Sequence, residues 1–141
     1  MEEIIRITDY ILTKGNYTPK QVQKLLFYAY SLYLVKYNKS YSEDMKKLFK
    51  GDFEATEHGP VNIKVYNYLK GFIVHMTART LYKKKNQNFL DKVLLVYGRY
   101  SGLELEEMTK QEAPWIRAYS QEKNTIISDK DIFEYYSKYK K

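Results

Sequence analysis

His58 stands in Asp52-Phe-Glu-Ala-Thr-Glu-His-Gly-Pro-Val61 with Glu54 and Glu57 close by in sequence. A histidine titrates near neutral pH, and neighbouring carboxylates can orient it as an acid, a base or a metal ligand. The chemistry such a trio would support is hydrolysis or metal binding. A helical zinc site, however, needs two histidines one turn apart and a third ligand. This chain has two histidines, His58 and His75, at a spacing that fits no such pattern. The alternative is structural, with His58 bracing the turn at Gly59-Pro60. Gly59 can adopt a positive φ. Pro60 suits the first position of a helix, where its missing N–H costs nothing. Gly59 and Pro60 therefore read as a structural turn that aims the next helix.

Other chemistries find little support. With no cysteine there is no thiolate nucleophile, disulfide or thiolate metal site. No Gly-x-Ser-x-Gly elbow occurs, and the six glycines form neither a Gly-x-Gly-x-x-Gly nor a P-loop pattern. The expectation is a protein that is not an enzyme and needs no cofactor or metal.

The elements that must position these residues read as mostly helical. Ile4, Ile5, Ile7, Ile11 and Leu12 recur at helical spacing over residues 2–13. Thr18 and Pro19 form a helix start. The helix that follows, to about Asn38, is apolar on nearly every side from Leu25 to Val35, the pattern of a central buried helix. A short helix is expected at Glu43–Phe49, an extended piece at Asp52–Thr56 and a helix from Pro60 through Leu69. Ile73–Leu81 is β-tolerant and Lys83–Asn88 reads as a loop, which suggests a small β-hairpin flap near 73–88. Phe89–Tyr100 is a further helix. Ser101-Gly-Leu-Glu104, Thr109-Lys-Gln-Glu112 and Ser128-Asp-Lys-Asp131 each carry a helix-start pattern. The fold class is mostly α: a single compact helical domain, residues 1–141, around a buried central helix at 18–38.

The formal net charge is +7, spread over both halves, and favours anionic partners. Of 24 basic residues 20 are lysine, whereas base readout leans on arginine. Lys83-Lys-Lys85 beside Tyr82 could touch a phosphate backbone, but it is a short run. Nucleic acid stays open as a partner. The acidic, periodic N-terminus does not resemble a secretory signal, and Leu25–Val35 is too short and too polar to span a bilayer. A cytoplasmic protein without membrane contact is expected. Trp115, between Pro114 and Ile116, reads as a core residue, with a partner anchor as the alternative.

The ordered set Lys24-Leu-Leu-Phe-Tyr-Ala-Tyr30, Phe53-Glu-Ala55, His58-Gly-Pro-Val61, Val65-Tyr66 and Thr109, Glu112, Pro114-Trp115 resembles the Panacea (SocA-like) antitoxin domain, met also among phage-associated proteins. The resemblance spans roughly residues 4–138. Thr56 stands where the family usually has tryptophan, and Lys110 where it often has histidine. The resemblance implies a helical domain that neutralises a cognate protein toxin by direct binding, with some members delivering the toxin to a AAA+ protease. Expected contact residues lie near the turn: Phe53, Glu54, His58, Tyr66 and Tyr68. Two other readings stand beside it. One is a basic nucleic-acid-associated accessory protein; the other is a small hydrolase built on Glu54, Glu57 and His58.

Overall fold

The computed structural model describes residues 2–70 and 84–139. In chain order the elements are α1 (Glu3–Leu12), α2 (Pro19–Lys36), β1 (Glu54–Thr56), β2 (Gly59–Val61), α3 (Ile63–Leu69), α4 (Lys84–Tyr97), α5 (Gly102–Lys110), α6 (Ala113–Gln121) and α7 (Asp129–Tyr136), with a 3₁₀ turn at Ser137–Tyr139. The described residues are thus mostly α-helical, with one small antiparallel hairpin. None of their helices is long and apolar enough to cross a membrane.

The second helix is central because no face of it is polar enough to meet water. Val22 through Ser31 and Tyr33 through Val35 are all buried. α1, α3, α4, α5, α7 and β2 all pack on it. Its start is fixed locally: Thr18 Oγ1 accepts from Gln21 N, the Gln21 side chain accepts from Thr18 N, and Pro19 follows the cap. Ser101 and Glu104 form the same reciprocal cap on α5. Ser128 caps α7 by accepting from Asp131 N.

Four expectations are corrected. No helix forms at Glu43–Phe49. Asn38 instead organises that loop, pairing with Lys46 through both backbone groups, at 2.8 and 2.9 Å. Met45, Leu48 and Phe49 still reach the core. Pro60 does not start a helix; it lies in β2 opposite Ala55, and α3 begins after Asn62, whose Oδ1 accepts from Val65 N at 2.9 Å. Lys84–Asn88 is the first part of α4, not a loop. Residues 73–83, the rest of the expected flap, lie outside the described residues. The Thr109–Glu112 pattern is not a cap. Thr109 sits inside α5 and its hydroxyl donates to the Glu106 carbonyl, while Glu112 precedes α6 with no side-chain cap bond.

The Glu112 carboxylate is engaged elsewhere. Its Oε1 accepts from Tyr28 Oη at 2.9 Å and from Tyr136 Oη at 2.6 Å. The same device recurs. Tyr30 donates to Asp129 at the start of α7, Tyr10 to Asp91 and Tyr68 to Asp9, all at 2.7–2.8 Å. Tyrosine rings can be buried when the hydroxyl finds a partner. This pairing explains how so many tyrosines fit a small core.

Candidate functional site

The hairpin is anchored to α2 by two successive side chains. Gln23 closes a two-bond clamp on Asn62: its Nε2 donates to Asn62 O at 3.0 Å, and its Oε1 accepts from Asn62 N at 2.9 Å. Lys24, only 1% exposed, donates from Nζ to the Pro60 carbonyl at 3.1 Å. On the other side Trp115 Nε1 donates to Thr56 O at 2.9 Å, while its ring stacks on Tyr119. Trp115 is buried, as its setting in the sequence suggests.

Glu57 and His58 form the tip between β1 and β2. The Thr56 hydroxyl closes the tip, donating to Gly59 O and accepting from His58 N. Gly59 has φ +90°, and a Cβ there would stand 3.0 Å from both Lys24 Cε and Thr109 Oγ1. Both backbone conformation and crowding therefore demand glycine. Gly59→Ala should lower stability by about 1–2 kcal/mol, the usual cost of a left-handed non-glycine residue. Urea melts of the two chains check this, and equal midpoints would refute it.

Beneath the tip lies a carboxylate that sequence reasoning missed. Glu106, 5% exposed on α5, holds Lys20 Nζ at 2.7 Å and Lys110 Nζ at 3.6 Å; His58 Nδ1 stands 3.8 Å away. Burial pushes the Glu106 pKa up, but the hydrogen bond from Lys20 and the charges of Lys20, Lys110 and Lys24 outweigh it, so the carboxyl lies below its ordinary value. Burial dominates at Lys24. It pulls the ammonium down to about 8, against a smaller opposing pull from Glu106.

Lys20 and Lys24 lie one turn apart on α2 and open onto a cavity of about 600 Å³. Of the five expected contact residues, Glu54, His58 and Tyr66 line it; Phe53 and Tyr68 do not. Phe53 is 2% exposed and packs against Phe27, Tyr30 and Phe49, which removes it from any contact surface. Tyr68 is half-buried, with its hydroxyl on Asp9. The acid–base trio is also rearranged. The carboxylates near His58 are Glu57, at 3.6 Å, and Glu106, while Glu54 lies in β1 opposite Val61. No cluster of three or more His, Cys, Asp or Glu able to hold a metal occurs among the described residues. Lys85, from the lysine run, places its ammonium 4.3 Å from the Tyr37 ring centre. What this arrangement can do chemically is receive an anion: it sets lysines around a partly apolar hollow.

One signal for the site is visible in the chain. Gln23 and Lys24 are polar residues directly ahead of the apolar run Leu25–Val35, on a helix buried continuously from Val22 to Ser31. A charge in such a place needs a reason.

No curated protein and no solved structure matches the chain. The family model described as Antitoxin SocA-like, Panacea domain, matches residues 22–116, a stretch that contains Lys24, the hairpin, Glu106 and Trp115. The chain therefore belongs to the SocA-like antitoxin family of Panacea domains.

Proposed function

We propose that this chain is a non-catalytic antitoxin that neutralises a cognate protein toxin by direct protein–protein binding. The observation that carries the reading is the family match over residues 22–116. The surface around the hairpin supports it. His58 and Tyr66 are exposed, Glu54 is half-buried, and the three line one hollow between α2, the hairpin and α3. The elements around that hollow are held by Gln23, Lys24, Asn62 and Trp115, so the contact face is preorganised and loses little entropy on binding.

The test is co-expression with the product of each neighbouring open reading frame. One neighbour should arrest growth when expressed alone, and the arrest should be relieved by this chain, with the two proteins copurifying. If no neighbour is both toxic and rescued, the reading falls. Delivery to a AAA+ protease makes a separate prediction: toxin abundance drops on co-expression in cells that carry the protease and stays level in cells that lack it.

A further inference from the structure

We propose that the hollow between the start of α2, the hairpin and α3 is a receptor for an acidic peptide segment of a protein partner, in which one or two carboxylates sit beside an apolar side chain. The identity of that partner as a toxin rests on the antitoxin reading; the chemistry of the hollow does not.

Three observations select this occupant. The first is charge. Among the described residues the lining carries Lys20, Lys24 and Lys70 against one carboxylate, Glu54. Glu106 lies behind the wall, already shared by Lys20 and Lys110. An incoming carboxylate would meet a surplus of cations.

The second is the state of Lys24. Its ammonium is nearly inaccessible, and its one hydrogen bond among the described residues is to a neutral carbonyl, that of Pro60. A buried cation with three donors and one neutral acceptor is poorly compensated. A carboxylate entering the hollow would add to the partial counter-charge that Glu106, shared with Lys20 and Lys110, gives Lys24. Glycine at position 59 keeps the Lys24 stem uncrowded, since a Cβ there would press on Lys24 Cε.

The third is the remainder of the lining. Pro19, Val61, Ile63 and Leu69 are apolar, and Ile63 and Tyr66 are exposed at 54% and 48%. An exposed apolar rim beside a cationic floor suits a peptide that carries both kinds of side chain. A nucleic-acid strand would bring a phosphate with every nucleotide and would set one against Glu54. Among the described residues it would find two rings, Tyr66 and His58, rather than a continuous stacking platform. The cavity volume lies in the range of sites that enclose a small ligand or a few side chains.

The experiment is selection of a random 12-residue peptide library, displayed on phage, against the purified full chain. The enriched clones should carry aspartate or glutamate next to leucine, isoleucine, phenylalanine or tryptophan. A synthetic peptide of the enriched sequence should bind at least tenfold more weakly to the surface double variant Lys20→Gln with Lys70→Glu. It should weaken similarly to Lys24→Met, and when its own carboxylates are replaced by amides. Circular dichroism of each variant confirms that the chain is folded.

Absence of enrichment, enriched peptides without carboxylates, or undiminished binding to the folded variants would overturn the proposal. Displacement of the peptide by a single-stranded 12-nucleotide DNA that binds more tightly would assign the hollow to nucleic acid instead. No toxin is present in the selection, so its outcome is independent of growth rescue.

Discussion

Lys24→Met is expected to make the protein more stable at pH 7, by about 2–3 kcal/mol. In the folded chain the Lys24 ammonium titrates at about 8, against an ordinary value of 10.5. A shift of that size corresponds to about 3 kcal/mol of disfavour for the charged form. Methionine has similar length and no charge, so the penalty disappears. The Pro60 carbonyl loses its donor, which returns about 1 kcal/mol.

The pH dependence gives the prediction its sign. A lysine whose folded pKa is depressed releases its proton on folding only between the two pKa values, here pH 8 and 10.5, and below pH 8 it is buried charged. Its destabilising effect is full below pH 8 and fades as the pH rises from 8 to 10.5, where the unfolded chain also deprotonates. The advantage of Lys24→Met should therefore be largest near pH 7 and vanish by about pH 10.5. Urea denaturation of both chains at pH 7, 9 and 10.5 measures it. A variant less stable than the parent at pH 7, or an advantage that does not shrink with pH, would show that Lys24 is well compensated in the folded chain. That would also remove one support for an anion-receiving hollow. If the expected result is obtained, the chain maintains a buried cation at a cost to its own stability, as groups serving recognition often do.

Why some helix starts and the central helix were legible in the sequence while the surroundings of Lys24 were not is a matter of distance along the chain. A cap is a local device. Thr18 with Gln21 and Ser101 with Glu104 satisfy donors within one turn, so residue spacing suffices to find them. The central helix was equally legible, because an element apolar on every side has only one place to go. The same local grammar misled at Thr109 and Glu112. That pair has the spacing of a capping box, but the hydroxyl turns back to Glu106 within α5 and the carboxylate is taken by Tyr28 and Tyr136 from distant segments. Pro60 misled for a similar reason. Gly-Pro is a good helix start in isolation, yet the pairing of β2 with β1 and the Lys24 bond to its carbonyl draw it into the hairpin, and Asn62 becomes the cap. The lysine run misled by composition, since polarity alone does not separate a loop from the first turn of a helix such as α4.

The site divides along the same line. His58, Gly59 and Pro60 stood out in the sequence because glycine and proline punctuate a chain, although Gly59 and Pro60 belong to β2 and the tip is Glu57–His58. Lys20 and Glu106 were not, because their pairing at 2.7 Å exists only once α5 lies against α2. Phe53 was misassigned to the surface. Its neighbours in the chain are polar, and only the packing of Phe27, Tyr30 and Phe49 around it shows that it belongs to the core.

The Glu112 junction is where loss of one side chain should cost most. Its single oxygen Oε1 serves Tyr28 and Tyr136, both almost fully buried. Burial raises the Glu112 pKa, with the two tyrosine hydrogen bonds opposing that rise. Glu112→Ala leaves two hydroxyls with no acceptor at that position, and each such group costs about 1–3 kcal/mol. The expected loss is about 3–5 kcal/mol, a large part of the stability of a domain this size. Replacing both tyrosines by phenylalanine leaves the opposite fault, a half-buried carboxylate without its two donors. Combining all three substitutions removes donors and acceptor together, so the triple variant should be more stable than the sum of the separate losses by at least about 2 kcal/mol. The Glu112 carboxyl should also titrate still higher once Tyr28 and Tyr136 are phenylalanine, since the groups that hold its pKa down are gone. Because a carboxylate with a raised folded pKa binds a proton on folding, the double phenylalanine variant should recover part of its lost stability as the pH falls from 7 towards the ordinary carboxylate range. Urea melts of the four chains across that range test both statements. A coupling near zero, or a double variant that gains nothing from acid relative to the parent chain, would mean that the three side chains do not act as one unit.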